Sequence, residues 1–198
     1  MTANLDIDGV DAGNNVFGTG QQRVGFSVGV ARISTVDVIS HTMTITENGK
    51  VLRSFPISAG KPKTPTMNGI HVIKGKAKTV IMDSSTVGIP RNSPDGYYLK
   101  VNWAVQFTLG GSYVHSAPWS VGKQGVDNVS HGCVNASPAN AQWFYNISRM
   151  GDIVQVTGSP RTPNARDGSA DWNTKWQEWV PQPTTPGHTD TNAPRTVA

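Results

Sequence analysis

The chain has 198 residues and a formal net charge of +4, from 17 Lys and Arg against 13 Asp and Glu, enough for one substantial domain with extensions and a real core. Charged residues make up 15 %, Gly and Pro number 21 and 13, and β-branched residues dominate the apolar set, which disfavours a helical bundle and favours a mainly β fold with many turns. A single cysteine excludes an intramolecular disulfide, and no run has the length of a membrane span or the pattern of a secretory signal.

Residues 1–23 are polar, with Asp-Gly, Gly-Asn-Asn and Gly-Thr-Gly steps that signal loops, and read as a linker or the remnant of a preceding domain. Alternation at the two-residue period predicts strands over Val24–Val30 and Val38–Thr46. Asn48-Gly49 then supplies a hairpin turn and Val51–Ile57 its partner strand. Further strands are predicted at Gly69–Ile73, Thr79–Asp83, Tyr97–Phe107, Tyr113–His115 and Asp152–Thr157. Basic residues gather at Lys61 and Lys63 and at Lys74, Lys76 and Lys78. No aromatic residue interleaves them, so they lack a single-strand stacking platform and read as solvated charge, with no nucleic acid as partner. Ser137 followed by Pro138 opens a helix that Gly151 stops, with Trp143, Phe144 and Ile147 as core anchors. Trp172, Trp176 and Trp179 form one face of a short helix over Asp171–Val180, suited to packing or, as an alternative, to stacking on glycans. Residues 181–198 are too rich in Pro, Thr and Gly to order themselves.

The chemistry gathers around Cys133, inside Ser130-His131-Gly132-Cys133-Val134-Asn135, with His115 eighteen positions upstream. A thiol is mostly protonated at its free pKa of about 8.5 and needs an adjacent imidazole or positive field to become a nucleophile. Either His115 or His131 can serve. Gly132 lets the backbone turn tightly and its N–H approach a substrate oxygen, as acyl transfer requires. Two plainer readings stand beside this one: a small buried cysteine, and a metal site of His115, His131 and Cys133, which the short His-x-Cys step and the absence of a CxxC pair disfavour.

His115, fourteen intervening residues and then Ser-His-Gly-Cys-x-Asn resemble the signature of the L,D-transpeptidase catalytic domain, the YkuD family. Ile57-Ser58-Ala59-Gly60-Lys61, Met82-Asp83-Ser84-Ser85-Thr86, Val114 to Val121, Asn128 to Phe144 and the Trp-rich stretch after Asp171 resemble its actinobacterial, especially mycobacterial, branch. The resemblance covers about residues 24–180 and implies a mainly β fold, a YkuD-like β-sandwich of mixed sheets with one main helix, an active-site lid and a short C-terminal extension. It divides the chain into a remnant of an immunoglobulin-like domain (1–23), the catalytic domain (24–158, lid 79–102), the extension (159–180) and a disordered tail (181–198).

The implied activity is a peptidoglycan L,D-transpeptidase that releases D-alanine from a tetrapeptide stem and forms 3→3 cross-links between meso-diaminopimelate residues. The alternatives are an L,D-carboxypeptidase, with water as acceptor, and a non-catalytic cell-wall binding module. Residue by residue, Cys133 matches the nucleophile, His115 the base and Ser116 the carbonyl that orients it. The N–H groups of His131, Gly132 and Cys133 match the oxyanion hole. Ser130, the His131 side chain and Asn135 match loop-supporting and substrate-contacting groups, and Met82, Tyr97 and Trp119 lid and pocket walls. Val87 departs from the pattern, standing where some relatives carry an aromatic residue. The partners implied are stem peptides, as tetrapeptide donor and diaminopimelate amine acceptor, and carbapenem inhibitors. The resemblance further implies no cofactor, no metal, a monomer, and an extracytoplasmic location with a membrane anchor upstream of Met1.

Overall fold

The computed structural model describes residues 2–163 and 171–175. Two compact units divide them, one containing residues 2–30 and the other Ala31–Thr174. In the first, β1 (Thr2–Asp6) and β2 (Gln21–Gly25) pair antiparallel from Thr2↔Gly25 to Asp6↔Gln21. The loop expected over 1–23 thus contains a ladder. Both strands are almost wholly exposed, so backbone pairing alone defines them, and a ladder without a buried face leaves no apolar period to read. Residues 26–30, expected to continue a strand from Val24, have no regular structure.

The second unit holds two mixed sheets. One has the order β5-β4-β3-β11-β6, the other β10-β9-β8-β7. The first is built from β3 (Arg32–Asp37), β4 (Thr42–Glu47), β5 (Lys50–Pro56), β6 (Gly69–Val72) and β11 (Ile153–Thr157), with β11 parallel to β3. The strand expected at Val38–Thr46 is interrupted. Asp37 Oδ1 accepts the N–H groups of Ile39 and Ser40 at 2.9 and 3.1 Å and turns the chain, and His41 takes φ 53° before β4 begins. Val36 and Val38 keep the apolar alternation across that turn, which hid it. The Asn48-Gly49 turn forms as expected, with both residues at positive φ, 49° and 80°.

The second sheet contains β7 (Gly75–Asp83), β8 (Tyr98–Gln106), β9 (Tyr113–Ser116) and β10 (Val134–Ala136). β7 and β8 pair antiparallel from Gly75↔Gln106 to Asp83↔Tyr98 with a single break at Lys78. The region 79–102, expected to form the lid, is a hairpin of these two strands with an irregular tip at 84–97. The short strand β10 was not foreseen, because three residues are too few to show a period.

The helix α1 (Pro138–Ile147) is capped by Ser137, whose Oγ accepts the Asn140 N–H at 3.3 Å. It ends at Ser148, ahead of the expected Gly151. α1 lies against β8 and β9, and Phe144, Ala141, Met43, Ile45, Val105, Phe107, Val114 and Val154 are 0 % exposed in one core joining both sheets and the helix. Trp143 and Ile147 pack on that core from its margin.

Of the Trp-rich stretch, Asp171–Asn173 forms a single 3-10 turn, while Trp176, Trp179 and the tail lie outside the described residues. Trp172 Nε1 donates to the Ile70 carbonyl at 2.6 Å, and the Asn173 side chain both accepts the Ile70 N–H and donates to its carbonyl at 2.8 Å. This turn caps the open edge of β6. The lysines around 74–78 are also more engaged than their sequence implies. Lys74 lies over Trp172, and Lys76 lies over Tyr145 and donates to the Ser148 carbonyl at 2.6 Å. The aromatic faces come from distant segments. Among the described residues no helix is long and apolar enough to cross a membrane.

Candidate active site

β9 and β10 bring the two halves of the motif together. They run parallel with Asn135 opposite His115 and Val134 opposite Val114, so Cys133, one residue ahead of β10, reaches the pocket that His115 enters from β9. That pocket, of about 180 Å³, is lined by Met82, Tyr97, Leu99, His115, Trp119, Val129, Ser130, His131, Cys133 and Asn135. Eight of the ten nominated residues face it. Ser116 and Gly132 act from behind through their backbone. Leu99 and Val129 were missed, since an apolar wall residue carries no chemical signal in a sequence.

His115 is buried, 3 % exposed, and its Nδ1 lies 3.0 Å from the Ser116 carbonyl oxygen. A carbonyl can only accept, so Nδ1 carries the proton and Nε2 keeps its lone pair. Burial pulls the His115 pKa below the usual imidazole value, against the opposing effect of the Ser116 carbonyl. The Trp119 ring, itself 54 % exposed, stands 6.0 Å from the imidazole.

Cys133 is half-buried, and its thiol donates to the Gly111 carbonyl at 3.9 Å. Burial pushes the thiol up to about 11, which a hydrogen bond from the Tyr113 backbone offsets in part. At neutral pH the pair is therefore a neutral thiol and a neutral imidazole. β10 lies between Cys133 and the start of α1 in the chain, and burial dominates the thiol's pKa. Burial likewise raises the phenols of Tyr97 and Tyr113, with Cys133 contributing to both, so both remain protonated donors.

The loop carrying Cys133 folds on itself. Ser130 Oγ donates to the Cys133 carbonyl at 2.6 Å and accepts the Gly132 N–H at 3.0 Å, and Gly132 has φ 120°, a conformation glycine adopts readily. Gly132 was expected to lend its N–H to an oxyanion hole. Its N–H is committed to Ser130, whereas those of His131 and Cys133 meet no protein acceptor among the described residues. Asn135, 3 % exposed, exchanges both backbone hydrogen bonds with Ser58, at 3.0 and 2.8 Å, and its Nδ2 donates to Ser120 Oγ at 3.1 Å.

His131 is held differently from His115. Lys61 Nζ lies 3.1 Å from His131 Nε2, and Tyr97 lies on the ring at 4.9 Å between centroids. Burial first, then the Lys61 charge, lowers the His131 pKa. Its Nε2 lone pair is already taken, which leaves His115 as the imidazole with a free basic nitrogen. Among the described residues no group of three His, Cys, Asp or Glu is arranged to hold a metal ion.

A family model described as the L,D-transpeptidase catalytic domain, YkuD, matches residues 31–156. L,D-transpeptidase 2 of Mycobacterium tuberculosis (strain CDC 1551 / Oshkosh) is 48 % identical over 172 residues, covering 86 % of this chain and 42 % of that protein. The chain thus spans less than half the length of that curated relative. Among solved structures, an L,D-transpeptidase from Mycobacterium smegmatis aligns with TM-score 0.67 and 48 % identity over 72 % of this chain and 65 % of that one. The LD transpeptidase LdtMt1 in complex with imipenem aligns with TM-score 0.67 and 49 % identity over 69 % and 63 %.

Proposed function

The chain belongs to the L,D-transpeptidase catalytic-domain (YkuD) family, and from that premise we propose that it is a cysteine acyltransferase acting on peptidoglycan stem peptides outside the cytoplasmic membrane. The observation that carries the reading is that Cys133 and a His115 whose Nδ1–H is fixed by the Ser116 carbonyl line one pocket. His115 Nε2 takes the thiol proton as Sγ attacks the carbonyl of the third stem residue, at the L-centre of meso-diaminopimelate. The oxyanion faces the N–H groups of His131 and Cys133. The C–N bond breaks, His115 returns the proton to the departing amine, and D-alanine leaves a thioester on Cys133. The side-chain amine of a second stem attacks that thioester, gives its proton to His115 and forms the 3→3 cross-link, and the thiol is restored.

The division of labour between the histidines rests on their partners. A base needs a lone pair within reach of the thiol, and the ammonium of Lys61 occupies that of His131. His131, with Asn135 and Ser130, shapes the loop instead. The lid tip, 84–97, with Tyr97 and neighbouring Met82, closes over the pocket and keeps water from the thioester while the amine enters. A carbapenem enters the same step, its lactam carbonyl taking the thiolate in place of the peptide.

Intact-protein mass spectrometry tests this reading with a tetrapeptide donor and, separately, with a carbapenem. Both add mass to Cys133, the peptide reaction releases D-alanine, and Cys133→Ala abolishes each adduct. An unmodified Cys133 under both conditions would sink the proposal, and free tripeptide as sole product with an amine acceptor present would make water the acceptor.

A further inference from the structure

Lys61 joins three segments that lie far apart in the chain. Its ammonium donates to Asp95 Oδ1 on the lid tip at 2.7 Å and to His131 Nε2 on the cysteine loop at 3.1 Å. Its backbone N–H donates to the Ser130 carbonyl at 2.9 Å, at the root of that same loop. The base on which Lys61 stands is rigid. The Gly60 N–H donates to Thr66 Oγ1 at 2.9 Å, and a Cβ on Gly60 would meet the Thr64 carbonyl oxygen at 2.3 Å.

The lid tip is well tied internally. Arg91 and Ser85 bind the Asp83 carboxylate, Ser84 exchanges hydrogen bonds with Tyr97, and a Cβ on Gly96 would fall 2.2 Å from the Arg91 carbonyl oxygen. Its ties to the body are few. Among the described residues, Asp95 supplies the polar ones, to Lys61, Lys63 and, at 3.8 Å, His131, and Tyr97 supplies the aromatic one, on the His131 ring. Both converge on the pair Lys61–His131.

We propose that Lys61 is a positioning residue that couples closure of the 84–97 lid to the orientation of His131, and through it to the loop that presents Cys133. With the lid closed, Asp95 holds the Lys61 ammonium where it donates to His131, and the ring so oriented receives Tyr97. With the lid away, Lys61 loses its carboxylate and His131 loses both contacts. An ammonium has no lone pair, so the closed state fixes the Nδ1–H tautomer of His131. The proposal rests on Cys133 being the nucleophile, because that makes the orientation of its loop matter to acylation.

The test uses the full chain with isotopically labelled histidine, read by imidazole NMR together with amide hydrogen exchange over 84–97 and 130–133. The wild type holds His131 in the Nδ1–H tautomer. In Lys61→Met the tautomers mix, the His131 titration midpoint rises as the neighbouring positive charge is lost, and exchange increases in both segments together. Lys61→Arg restores the tautomer. Asp95→Asn mixes the His131 tautomers in part and speeds exchange in 84–97 and 130–133 together by about two- to fivefold, as expected for a partly exposed ion pair.

In acylation assays Lys61→Met lowers the maximal rate, whereas Asp95→Asn raises the donor concentration at half-maximal rate. Unchanged His131 signals in Lys61→Met, exchange rising in 84–97 without a change at 130–133, or no faster lid exchange in Asp95→Asn would overturn the coupling. Absence of any acyl adduct in the wild type overturns the nucleophile reading instead, and leaves the NMR and exchange results standing.

Discussion

The floor of the pocket and its lid are held by different physics. The floor is sheet: His115 and Cys133 are set by the register of two parallel strands above a core whose members reach 0 % exposure. The lid tip is largely exposed and held by charge, through Arg91 to Asp83 at the end of β7 and Asp95 with Lys61 and Lys63 beneath it. Backbone register and apolar burial respond weakly to salt, whereas exposed ion pairs are screened by it. In the proposed mechanism the reacting groups are thus held by register and burial, and the 84–97 tip by salt-sensitive ion pairs.

The largest expected effects lie on the floor. Cys133→Ala removes acylation completely, and His115→Gln lowers its rate by about 10²- to 10⁴-fold, the usual worth of a positioned base, whereas His131→Gln weakens acylation less. Equal losses at the two histidines, measured by stopped-flow acylation with a carbapenem, would break the distinction drawn between them. Phe144→Ala, beneath the same sheet, costs about 3–5 kcal/mol of stability in denaturant unfolding. A small cost there would mean that α1 does not support the floor.

The pH profile sharpens the comparison next. His115 must be neutral to act as base and its pKa is lowered, so acylation falls on acidification with a midpoint below the usual imidazole value of about 6.5. Alkylation of Cys133 by iodoacetamide keeps rising toward about 11, where the thiol ionises. An alkylation midpoint near neutrality would replace the neutral pair by a thiolate–imidazolium pair.

The smallest effects belong to the lid. Arg91→Met loosens the tip by removing a partner of Asp83 and the cation over Tyr98. It raises the donor concentration at half-maximal rate about two- to fivefold with little change in the melting temperature. Added salt has the same direction of effect in the wild type. A melting temperature that drops as far as in Phe144→Ala would show the lid to be part of the folded core after all.

How much of this was legible beforehand follows from the range of each interaction. The Asn48-Gly49 hairpin, the Ser137-Pro138 helix start and the cysteine motif are local patterns whose chemistry is complete within a few residues. The Asp37 turn was also local, but its side-chain cap was masked by apolar residues on either side. The ladder of β1 and β2 buries almost nothing, so no hydrophobic period marked it. The fourteen residues between His115 and Ser130 could not reveal that β9 and β10 would be parallel neighbours.

The sequence by itself determined the reactive groups, the glycine at the bend beside the thiol and a mainly β chain built of short strands, because these follow from residue type and near neighbours. Tertiary structure decided which histidine is free to act. His115 and His131 are the same imidazole until folding brings a carbonyl to Nδ1 of one and an ammonium to Nε2 of the other. The protonation of each is set by that partner and by burial, both of which depend on segments far away in the chain.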